Sequence, residues 1–126
     1  MTDEKWTTYA RMVDPILVIP ESHEWEGTYE MELGTIESTH IGFEDHGIFS
    51  WALMFKFSGS GQGTGHYTFT QEMLQITKDV LEVVGVSQWE HLKNKRVYVL
   101  RKEPYGRIIG IASVSSPELK WMFFPQ

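Results

Sequence analysis

Residues 48–57 carry Phe49, Trp51, Leu53, Phe55 and Phe57 at odd positions, with Ser50, Ala52, Met54 and Lys56 alternating between them. A period of two sends successive side chains to opposite faces of an extended chain, so this segment reads as a strand with one deeply buried face. Such a strand needs a partner. Residues 35–43 are rich in β-branched side chains, and Glu44-Asp45-His46-Gly47 supplies turn chemistry with a glycine free to take positive φ. The two segments read as a β-hairpin with that tetrapeptide at its tip.

Downstream, Ser58-Gly59-Ser60-Gly61-Gln62-Gly63-Thr64-Gly65 places a glycine at every second position and reads as a loop, followed by a short strand at His66 to Phe69. Met73, Ile76, Val80, Leu81 and Val84 then recur at three- and four-residue spacing, with Thr70 as N-cap and Gly85 as terminator. The pattern predicts one main amphipathic helix over about residues 70–85. Ser87 and Glu90 have capping-box spacing ahead of a short turn that carries Trp89 and Leu92 inward. Residues 96–101 and 107–114 read as strands joined by Glu103-Pro104-Tyr105-Gly106. Strands, a helix, then strands define an α+β fold: an antiparallel sheet, able to curl toward a barrel, with the helix packed on one face.

The 126 residues suffice for one domain and one core, but not for two domains. Within residues 1–126, residues 28–126 read as the α+β body and residues 1–27 as an N-terminal arm or edge strand. Pro15 and Pro20 flank Ile16 to Ile19, and proline cannot donate to a central ladder. Trp6, Tyr9 and Trp25 on this arm either pack on the body or reach a second subunit. The apolar tail at residues 119–125 poses the same alternative, docking or a homodimer contact.

With no cysteine, thiolate metal sites, disulfides and cysteine nucleophiles are excluded. The five histidines show no metal-ligand spacing, and no Ser-centred nucleophile motif occurs. The expectation is a protein without cofactor, metal or enzymatic activity. Eleven basic against 17 acidic residues, a net charge of −6, disfavour direct duplex DNA binding. The apolar runs are too short for a membrane span and no secretory signal is visible, so the expected location is the cytoplasm.

Two segments can carry chemistry. Glu44, Asp45 and His46 place two carboxylates and an imidazole at the hairpin tip, where tight-turn preference alone also explains Asp and Gly. Gly59, Gly61, Gln62, Gly63, Thr64, His66 and Tyr67 form a segment whose unshielded amides suit an anion nest or close approach of a partner, without a Walker or dinucleotide fingerprint.

Gly42-Phe43-Glu44-Asp45-His46-Gly47-Ile48, followed by Gly59-Ser60-Gly61-Gln62-Gly63 and Tyr67, resembles a group of short, largely uncharacterised phage and prophage proteins. Residues 84–95 with Val97 and Val99 are similar to it too, so the resemblance spans roughly residues 35–102. The chain departs from that pattern at Thr64, where the group has an aromatic, and at His66 and Asn94, where it has glycine. The resemblance implies a phage accessory protein and carries no catalytic residues. The function expected from it is an anti-CRISPR-like inhibitor in the host cell, binding a host defence protein or ribonucleoprotein complex through the tip and the glycine segment. Two alternatives stand beside it: a protein that sequesters a nucleotide signal in the glycine segment, with His66, Tyr67 or Arg107 nearby, and a virion or assembly component joined through its tail.

Overall fold

The computed structural model describes residues 11–13, 16–19, 23–114 and 119–126. Its backbone is mostly antiparallel sheet with one helix, the α+β class. The elements are β1 (Arg11–Val13), β2 (Ile16–Ile19), β3 (Gly27–Phe43), β4 (Phe49–Phe57), β5 (Ser60–Gly63), β6 (Tyr67–Thr68), α1 (Gln71–Val84), a 3-10 turn at Trp89–His91, β7 (Arg96–Arg101), β8 (Gly110–Ala112) and β9 (Trp121–Phe123).

The long strand β3 organises the sheet because it is paired along both edges. Thr35 faces both Lys56 of β4 and Arg96 of β7, and Glu30 faces both Ile16 of β2 and Arg101 of β7. Strands β2 and β4 therefore share one edge of β3 while β7, β8 and β9 continue from the other. The alternation in β4 is realised. Trp51, Leu53, Phe55 and Phe57 are buried against α1 and β7, whereas Phe49 at the strand's start stays 38% exposed. On α1, Met73, Ile76, Val80 and Val83 face the same cluster. Thr77 stands among them because its hydroxyl accepts the Trp51 indole N–H at 3.0 Å and donates to the Met73 carbonyl.

A second cluster lies on the opposite face, where Leu17, Ile19, Tyr29, Leu100, Trp121 and Phe123 pack with Trp25. Strands β7 to β9 are thus buried on both faces. The apolar tail docks: β9 pairs with β8, and Phe124 is wholly buried against Trp51 and Tyr67.

Four expectations are corrected. The sheet is not closed into a barrel: β4 branches from the middle of β3, and among the described residues its outer partners β5 and β6 pair with no strand but β4. The segment 16–19 is an inner strand, since β2 pairs with β1 on one side and β3 on the other, burying Leu17 and Ile19, and the edge position within residues 1–27 falls to β1, the first strand of the order. The capping box does not form; the turn at Trp89–His91 starts from Gln88 with no side-chain cap, although Leu92 is buried as expected. Thr70 also precedes α1 without a side-chain cap bond, while Gly85 closes the helix at φ 88°. Of the arm's aromatics, Trp25 stacks on Phe123 at 4.5 Å; Trp6, Tyr9, Pro15 and Pro20 lie outside the described residues.

Candidate protein-contact site at the hairpin tip

The tip is a three-residue hairpin loop. Glu44 N–H donates to Ile48 and Gly47 N–H to Glu44, with Gly47 at φ 79°, the left-handed position that such a loop requires of its last residue. Asp45 and His46 occupy the central positions and are exposed. They project from the turn and do not converge with Glu44.

Glu44 turns back onto the sheet. His66 Nδ1–H donates to its Oε1 at 2.6 Å, which joins the tip to the end of the glycine segment across 22 residues. His66 stacks on His40 at 5.4 Å, and His40 Nε2 lies 2.9 Å from the Ser50 hydroxyl. The Glu44 carboxyl is held below its ordinary value of 4.5, chiefly by the hydrogen bond from His66. Partial burial opposes this; the charge of His66, a hydrogen bond from Ser50 and the charge of His40 add to it. Two side-chain pairs, His66–Glu44 and His40–Ser50, are thus brought together by the stacked His40 and His66 rings. Ser50 is wholly buried.

On the opposite face of the same hairpin end lies an apolar rim. Phe43 is 73% exposed, Ile48 49% and Ile41 37%, and Phe43, Phe49 and Phe69 make edge-on ring contacts at 5.0 and 5.4 Å. Behind the rim, Ser38, His40, Met54, Gly63 and His66 border a recess of about 350 Å³. Small residues in its lining, Ser38, Ala52, Gly63 and Gly65, leave the recess open.

The glycine segment is not a loop. Ser60–Gly63 is strand β5, paired with β4 from Phe57↔Ser60 to Met54↔Gly63, and Gly59 makes the turn at φ 85°. In an extended strand successive amides point to opposite edges, so the segment does not form the converging nest that an anion needs. Gln62 faces away from the tip's recess and bonds Arg101 and Gly106. Thr64 is tied to Leu53 N–H and Gly65, while Tyr67 packs against Trp51, where burial raises its phenol pKa despite the nearby charge of Arg107. The structure thus unites Glu44 and His66, leaves Asp45 and His46 at the surface beside them, and puts Gln62 in a different place. Sequence reasoning missed His40, Ser50 and the apolar rim.

No family model, curated protein or solved structure matches the chain. Among the described residues no set of three His, Asp or Glu side chains converges as metal ligands, and no helix is long and apolar enough to cross a membrane.

Proposed function

We propose that this protein acts by protein–protein contact through the tip of the β3–β4 hairpin. The observation that carries the reading is the exposed apolar rim, Phe43, Ile48 and Ile41, at the same end of the hairpin that carries Glu44 and Asp45. Exposed aromatic anchors beside charged groups are the composition of an interface centre with a polar rim. The acids select a basic patch on the partner, and the Glu44–His66 bond holds the tip in one conformation before binding. The resemblance to short phage proteins directs the choice of target to a host antiphage defence complex, which the protein inhibits in the host cell by covering an effector surface.

The test is affinity capture from lysate of a bacterial host expressing its defence systems, with wild type, Phe43→Ser and the double variant Glu44→Lys/Asp45→Lys in parallel. The expected result is one stoichiometric partner held by wild type and lost by both variants, each still folded. A partner retained equally by all three would move the contact away from the tip. No specific partner from any such host would end the reading.

A further inference from the structure

The register of β4 and β5 decides which backbone groups of the glycine segment are used. Thr64 N–H donates to the Leu53 carbonyl, so 53/64 is a hydrogen-bonded pair; by alternation 55/62 and 57/60 are as well. Gly61 and Gly63 are the intervening residues. Their N–H and C=O groups point away from β4 along an edge that, among the described residues, has no strand beside it. Protein edges are normally guarded by charge, proline or a bulge. This one has only Ser60, Gly61, Gln62 and Gly63, with no side chain on either residue that presents the open groups.

The edge is also anchored through Gln62. Gln62 Oε1 accepts from Arg101 Nε and Nη2 at 3.2 and 2.6 Å, and Gln62 Nε2 donates to the Gly106 carbonyl at 3.1 Å. Arg101 is 7% exposed, lies over the Phe57 ring and donates to Glu32 at 2.8 Å. Beneath the edge, between β5 and the Pro104–Tyr105 turn, is a cleft of about 440 Å³ bordered by Glu30, Glu32, Arg101 and Phe57. Two carboxylates face one guanidinium that is already engaged. The mouth carries Tyr105, fully exposed and held at φ 64°, where non-glycine residues are rare.

We propose that β5 is a strand-addition site: an extended segment of a partner protein pairs with Gly61 and Gly63, and an Arg or Lys of that segment enters the cleft between Glu30 and Phe57. Backbone pairing supplies the attachment and the acidic cleft supplies the selection. Phe57 and Tyr105 offer ring faces to the cation. The site lies toward the other end of β4 from the hairpin tip and shares with that region only Gly63, which borders the recess; it uses none of Phe43, Glu44, Asp45 and Ile48, and stands or falls independently of the tip contact.

The experiment selects a displayed library of random seven-residue peptides on the intact protein, and reads the site by amide NMR. Before any peptide is added, the Gly61 and Gly63 amides exchange rapidly while the Gln62 amide is protected. The expected selection enriches sequences with one basic residue, which shift and protect the Gly61 and Gly63 amides. Gly63→Pro, which removes one outward donor without touching the β4 ladder, weakens them at least tenfold, and Glu30→Lys reverses the charge preference. Enrichment of neutral or acidic sequences, shifts confined elsewhere, or no enrichment would each overturn the proposal. A concentration-dependent dimer of wild type that Gly63→Pro abolishes would overturn the assigned partner, making a second copy the occupant.

Discussion

Glu44 is stabilised in its ionised form by His66, so its folded pKa lies below the unfolded value. The contribution it makes to the fold is therefore complete above the ordinary carboxylate value of 4.5 and disappears as the pH falls through the lowered folded value. The expected measurement is a Glu44 carboxyl midpoint below 4.5 in an NMR titration, moving upward in His66→Ala; an ordinary midpoint unaffected by that substitution would show that the tip is not tied to the sheet. Phe43, at 73% exposure, has almost no folding role, so Phe43→Ser should change stability by no more than about 0.5 kcal/mol. The same substitution should cost a partner complex about 1 kcal/mol or more, seen in paired unfolding and binding curves. A large loss of stability would make Phe43 structural. Glu44 and His66 were each legible in the sequence as polar groups in distinctive segments, but their contact was not, because it is made by the fold across 22 residues. His40 and Ser50 were hidden for another reason. Their signal was the small size of Ser50 and Ala52 at the even positions of β4, and small residues on a strand read more readily as solvent-facing than as buried.

Elements were legible where one physical cause dominates. The β4 alternation and the α1 stripe both follow from burial of one face, and Gly85 ends the helix where expected. Strand β5 was illegible because glycine has poor strand propensity; it is held by its neighbours, with Gly61 and Gly63 fitting close to Phe55 and Leu53 carbonyls. Asn94 shows the converse. At φ 71° it occupies the left-handed region that Asn tolerates, donating its N–H to the Ile36 carbonyl. Two glycine substitutions separate the kinds of constraint. A Cβ at Gly110 would collide with the Met122 carbonyl and the Phe123 ring across the β8–β9 pair, so Gly110→Ala should destabilise by about 1–3 kcal/mol or more. A Cβ at Gly63 meets chiefly the flexible end of Met54 at 3.2 Å, so Gly63→Ala should cost well under that amount. Denaturant midpoints of the two variants check the order; equal midpoints would mean that β8 and β9 can separate without loss.

At the scale of the molecule, the docked tail decides between a structural element and a subunit contact. Phe124 is wholly buried between Trp51 and Tyr67 of the helix-side cluster, while Trp121 and Phe123 belong to the cluster on the other face. The last strand therefore closes both cores at once, and the apolar surface that suggested an assembly contact in the sequence is covered by the chain's own residues. Truncating a buried aromatic of this kind costs about 3–5 kcal/mol, against a total of about 5–15 kcal/mol for a domain. Phe124→Ala should accordingly lower the melting temperature sharply while retaining a cooperative transition. Deleting residues 119–126 removes Trp121, Met122, Phe123 and Phe124 together and should abolish that transition, with exposed apolar surface detectable by dye binding. If the truncated chain instead kept the wild-type melting temperature and lost only self-association, the tail would be an interface, and the assembly reading would displace the contact at the hairpin tip.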